Sequence, residues 1–204
     1  MIQEFSIHRF NDLKINSMLA EEQIFKGITF TEISGYDEFD NCRFSNCNLT
    51  NADLSDCRFI ECSFDECDLS NIKLLNTSLT ETVFERCKMI GLQFIDCNKF
   101  LFTPQFSKCQ LQMSSFYQME LRSFQFIDCN MQDVDFVETV LSGAIFKECD
   151  LGGAVFENTN LEKADLSNAF NFTMDPDQNH LKGAKFSIND LPGLLTKHGL
   201  KIVP

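Results

Sequence analysis

Ten cysteines are the residues of this 204-residue chain best suited to chemistry. A thiolate can attack an electrophile, close a disulfide or bind zinc. Their spacing argues against all three uses. The chain has no Cys-x-x-Cys pair and no clustered histidine, the pattern a zinc site asks for. Steps of five residues place neighbouring cysteines on different sides of a coil, where they do not face one another for a disulfide. His8, His180 and His198 lie towards the two ends, none beside a plausible nucleophile. No Gly-x-Ser-x-Gly elbow, phosphate loop or dinucleotide fingerprint occurs. Carboxylate pairs such as Asp65-Glu66 are expected to face outward on a convex surface without a cleft. These observations point to a protein that is not an enzyme, with no catalytic residues, no metal and no cofactor.

The cysteines instead keep time with a repeat. Each stands two residues before a position that is almost always Phe, Leu or Met: Cys42 before Phe44, Cys47 before Leu49, Cys57 before Phe59. Cys97, before Lys99, is the exception. These central positions run in fives from Phe39 to Phe94 and again from Phe106 to Leu166. A period of five fits neither an amphipathic helix nor an alternating strand. It marks a repeat architecture. Residue type also recurs every fourth centre. One column reads Phe44, Phe64, Phe84, Phe106, Phe126, Phe146, and the next Leu49, Leu69, Met89, Leu111, Met131, Leu151. Four five-residue sides per coil explain this, with like stacked on like about 4.8 Å apart if coils pair as strands do. Cys47, Cys67, Cys87, Cys109, Cys129 and Cys149 then form one column. Its jump from Cys87 to Cys109 places a two-residue insertion in 99–105, with Leu101 as the central residue inside it.

The unit resembles that of the pentapeptide-repeat family, A(D/N)LXX, seen here as Ala52-Asp53-Leu54, Cys67-Asp68-Leu69, Cys149-Asp150-Leu151 and Ala164-Asp165-Leu166. The resemblance implies an all-β solenoid, a right-handed quadrilateral β-helix with the central and small residues inside.

Three segments follow from where the rhythm holds. Residues 1–36 are read as an N-terminal cap with one or two imperfect repeats. Phe25, Ile28 and Phe30 are strand-like there, and Met18–Ile24 is a short helix or a loop. Residues 37–191 are the β-helix, bulged at 99–105 and interrupted at 171–179. Residues 192–204 complete a C-terminal cap: a helix from Asn189 to about Lys197, then a strand at Leu200–Val203. Pro192 lies in the first turns of that helix and Gly199 just past its end.

Net charge is −13, and it is uneven. Residues 38–98 carry eleven acids against five bases, 99–171 ten against five, and 172–204 three against four. An acidic shaft has the wrong sign for nucleic acid but suits a basic partner. No long apolar segment and no signal-peptide pattern are present, and ten reduced cysteines suit a cytosol. A cytoplasmic protein without membrane contact is expected.

Repeats followed by a helix and a short apolar strand resemble a narrower group, the bacterial quinolone-resistance and gyrase-protecting pentapeptide-repeat proteins. That resemblance implies a homodimer through the tail, here Leu191, Leu194, Leu195, Leu200 and Ile202. It also implies an acidic rod that mimics DNA and binds DNA gyrase or topoisomerase IV. The chain lacks the longer projecting loops of several members. One outward column offers a partner surface of its own: Leu75, Ile95, Tyr117 and Val137 stack, rimmed by Asp53, Asp56, Asp96, Asp135 and Glu138. The alternative function is a general protein-interaction scaffold with an unrelated partner.

Overall fold

Three-residue strands are what a five-residue period allows: one side chain in, its two neighbours out, and two residues to turn the corner. The computed structural model describes residues 18–100, 102–201 and 203, and in these the short strands stack in parallel. Nine strands, from Ile24–Lys26 to Lys185–Phe186, form one ladder, and four, from Leu19–Glu21 to Ser78–Thr80, form a second. Single bridges continue the second ladder through Glu120, Val140, Asn160 and His180. They also build two more, one through Asn48, Asp68, Lys88 and Gln110, the other through Gln93, Ser115, Asp135 and Val155. Each coil thus crosses four ladders. We call the sides A, B, C and D, centred in one coil on Phe39, Phe44, Leu49 and Leu54. The result is an all-β parallel solenoid.

Register agrees with the sequence columns. Phe44 pairs with Phe64 and Phe64 with Phe84, and the next step, Phe84 to Phe106, is the longer one. Inside, the Phe rings stack in files. On side B the Phe44–Phe64 centroids are 4.4 Å apart, and on side D those of Phe94–Phe116 are 4.5 Å apart. The second file changes sides. In the N-terminal coils it runs on side A, through Phe39 and Phe59. From Phe94 onward it runs on side D, through Phe116, Phe136 and Phe156. Between them stand Leu74 and Leu79, so the turn from Leu74 to Met89 keeps a single ring, Phe84.

The corners explain the small residues. Two positions after most centres the backbone enters the left-handed region, as at Asp56 (φ 62°) and Asn71 (φ 55°). On side D the turn closes by an N–H three residues after the centre: Cys57 donates to the Leu54 carbonyl at 3.1 Å. That residue must be small to sit inside the corner, and its polar atom can donate to the coil before. Thr77 Oγ1 donates to the Leu54 carbonyl at 2.8 Å and Thr139 Oγ1 to that of Phe116 at 2.8 Å. Cys62 Sγ reaches the Phe39 carbonyl at 3.3 Å and Cys87 Sγ that of Phe64 at 3.4 Å. Cys, Thr and Ser therefore fill the same slot because each is small and can cover a buried carbonyl. All ten cysteines are buried and unpaired by disulfides. Burial pushes the Cys62 and Cys97 thiols up to about 12. Cys87, Cys109 and Cys149 are pushed up too, first by sharing an S–H with a neighbouring sulfur and then by burial.

Both ends depart from expectation. Met18–Ile24 is neither helix nor loop: Leu19–Glu21 is a strand paired with Glu38–Asp40, and Ile24 opens the next strand. The first described coil of the solenoid thus lies within 1–36, the segment read as a cap with one or two imperfect repeats. That coil is one residue short, since Phe25 pairs with Phe44. A 3-10 turn at Phe30–Glu32 and buried Ile33 absorb the phase change.

At the other end the expected helix is replaced by two 3-10 turns, Leu191–Leu194 and Thr196–His198, with Gly199 closing the second in the left-handed conformation. Pro192 and Gly193 together disfavour a continuous helix. A Cβ at Gly193 would collide with the Phe172 carbonyl oxygen, so only glycine lets this turn sit on the last coil. Its carbonyl accepts from Met174 N at 3.2 Å. Lys197 clasps Asp175 and Asp177, and its ammonium holds Asp175 below the usual carboxylate range. Lys201 and Val203 are not in a strand, and Ile202 lies outside the described residues. Leu101 also lies outside them, so the expected centre of the insertion is not placed.

Candidate acidic partner surface

Side D carries the expected partner surface, and the stacking is direct. Asp56 N donates to the Leu75 carbonyl at 2.8 Å, and Gln118 N to that of Val137 at 3.1 Å. The apolar strip is less open than its outward position suggests. Leu75 is 63% exposed, but Ile95, Tyr117 and Val137 are half-buried. Ile95 sits in a 3-10 turn at Phe94–Asp96, which tilts that stretch out of the ladder. Asn76 N accordingly bonds the Asp96 carbonyl, not that of Ile95. The column ends in exposed Glu157 after Val137, and exposed Val155 lies across the centre from it, in the neighbouring column of Ser115 and Asp135.

The acids around this strip differ in how much charge they keep. Asp53 lies 3.8 Å from Lys73. Asp56 accepts from Asn76 Nδ2 at 2.9 Å, Asp135 from Ser115 Oγ at 3.0 Å, and Glu138 from Gln118 Nε2 at 2.8 Å. These partners are neutral, so the three carboxylates are held in place without losing charge. Asp96 is exposed on the same side. Side B is different. There Arg86 sits among Asp65, Glu66 and Glu85 and offsets part of their charge.

Asp56 and Glu138 of the rim belong to a wider acidic set, whose other members were not assigned to a partner surface from the sequence. The left-handed corners carry Asp56, Glu61 and Glu66 in succession, and again Asp128, Asp133 and Glu138. Each trio wraps three successive corners of the shaft. Asn and Asp tolerate this backbone region, whereas Glu has no local reason to be there. Among the described residues six corners nevertheless hold Glu: Glu22, Glu61, Glu66, Glu81, Glu138 and Glu148. The signal was present in the chain, two positions after each centre.

The expected dimer residues are only partly presented together. Leu191, Leu195 and Leu200 are exposed, and Leu194 packs half-buried against the core.

The fold can now be set beside known proteins. No curated protein sequence matches the chain. A trypsin-treated variant of QnrB1, a plasmid-mediated fluoroquinolone resistance protein, is similar with TM-score 0.47 and 20% identity, over 92% of this chain and 100% of that one. Full-length QnrB1 gives 0.45 and 20%, over 90% and 100%. HetL, a pentapeptide repeat protein involved in heterocyst differentiation regulation from the cyanobacterium Nostoc sp. strain PCC 7120, gives 0.34 and 16%, over 83% and 85%. A family model described as "Pentapeptide repeat region" matches residues 37–99 and 99–186. That match spans most of the chain and coincides with the coils built on the five-residue unit, so this chain belongs to the pentapeptide repeat family.

Proposed function

We propose that this protein is a non-catalytic acidic rod that binds a type II topoisomerase, DNA gyrase or topoisomerase IV, by standing in for duplex DNA. The observation that carries the reading is the Glu-bearing left-handed corners. Each costs the backbone about 1 kcal/mol relative to Gly and contributes nothing to the interior. Their return is an array of carboxylates on a stiff shaft, at multiples of a strand spacing. A basic groove that neutralises DNA phosphates can neutralise these too, and releases counterions in the same way. Asp56, Asp135 and Glu138 support the reading further, because their hydrogen bonds fix position and leave the charge intact.

The test is a gyrase supercoiling assay with ciprofloxacin and purified protein. Relief of inhibition, or direct inhibition of supercoiling, is expected at micromolar protein. An enzyme indifferent to the protein in both respects sinks the reading and leaves the interaction scaffold.

A rod of this kind gains reach by pairing through its tail, where Leu191, Leu195 and Leu200 are exposed. Sedimentation is expected to give a dimer that becomes a monomer in Leu195→Asp. If the unsubstituted protein is already a monomer, the tail is only a cap.

A further inference from the structure

The insertion and one misfit side chain meet at the same place. Across side B the slot before each centre holds Cys42, Cys62, Thr82, Pro104, Ala144 and Ala164, but one coil puts Phe124 there. A phenyl ring cannot fit inside that corner, so Phe124 is half-buried at the surface. It stacks on Phe102 of the insertion, centroids 6.0 Å apart and planes within 12°. Phe102 is buried and rests edge-on against core Phe94. Two departures from the repeat thus support each other, and local rule-breaking of this kind gathers at functional sites.

Together they wall a groove of about 360 Å³ on the outer face of side B, floored by Gln105, Ser107, Gln125 and Ile127. Its size is that of a small-ligand site. None of its lining residues is charged, on a rod of net charge −13. The amides of Gln105 and Gln125 stand one coil apart, and the hydroxyls of Ser107 and Ser123 lie beside them. None of these four side chains is engaged in a hydrogen bond with the described residues. A flat aromatic face beside unengaged amides and hydroxyls, with no charge, is complementary to a ring that is apolar on its face and hydroxylated at its edge.

We propose that this groove binds a neutral saccharide of one or two hexose units, with Phe124 as the platform under the sugar ring. The site is separate from the acidic surface of side D and does not depend on it. Isotope-labelled protein titrated with maltose, cellobiose and diacetylchitobiose should show amide shifts confined to 103–107 and 123–127. The expected dissociation constant for at least one sugar is on the order of 1 mM. Phe124→Ala restores the residue type of Ala144 and Ala164, so the coil keeps its shape, and binding should fall about tenfold or more. Gln125→Glu, an exposed change, should weaken it as well, while Leu75→Ala on side D should not. Absence of shifts with all three sugars at about 20 mM overturns the proposal. So do shifts that survive both Phe124→Ala and Gln125→Glu, or a leucine-rich peptide that fills the groove where the sugars do not.

Discussion

Phe106→Ala should lower stability by about 3–5 kcal/mol, the cost of deleting a fully buried ring that its neighbours cannot replace. Phe106 has essentially no solvent exposure and lies within ring-contact distance of four others. Its centroid is 5.6 Å from Phe84, 5.6 Å from Phe94, 6.2 Å from Phe116 and 5.8 Å from Phe126. The void would be held open by the β-ladders, because coils cannot slide together along the axis below their hydrogen-bond spacing. Each coil of a solenoid touches only its neighbours, so weakening this one also weakens communication between the two halves. Urea unfolding followed by circular dichroism should show a lower midpoint and a broader or divided transition. Phe100→Ala is the control: Phe100 is 77% exposed, and its loss should stay within about 0.5 kcal/mol. Equal effects from the two variants would show that the Phe files do not carry the stability.

The second large effect is electrostatic. Replacing Asp56, Asp96 and Glu138 together by Lys moves the net charge from −13 to −7, since each exchange adds two. Folding should change little, because the hydrogen-bond partners given up, Asn76 and Gln118, are themselves exposed and can turn to water. Affinity for a basic groove should fall about 100-fold or more in low salt, as like charges are set against one another. The difference between the proteins should shrink as salt rises. Binding to gyrase measured at two ionic strengths reads both effects. Affinity that is unchanged in the triple variant removes side D from the interface, whatever the supercoiling assay gives.

The interior was legible in the sequence because a solenoid writes its register in plain intervals. Phe44 and Phe64 are twenty apart and pair; Phe84 and Phe106 are twenty-two apart and pair. The ends were harder for a physical reason. Phe25 and Phe44 are nineteen apart, and the missing residue is absorbed in a 3-10 turn that no interval rule anticipates. Leu191, Leu194 and Leu195 have helical spacing, yet Gly193 must approach the Phe172 carbonyl, a tertiary demand that overrides local pattern. The outer face was read by columns of neighbours to the centres, which found Leu75 and Asp135. Reading the corner positions in the same way would have found Glu61, Glu81 and Asp133. Phe124 was visible as a large residue in a small slot, but its meaning needed Phe102 beside it in space.

The change of sides by the second Phe file has a consequence for how the molecule comes apart. Where Leu74 and Leu79 replace rings, the turn from Leu74 to Met89 holds a single phenyl ring between blocks that each hold two files. The shaft therefore has a seam. The side B ladder and its Phe file cross it unbroken, with the insertion at 99–105 just past it. Strain applied along the axis would be shared evenly within each block and concentrate there. A shaft whose side B ladder runs on unbroken is expected to yield first where its interior thins.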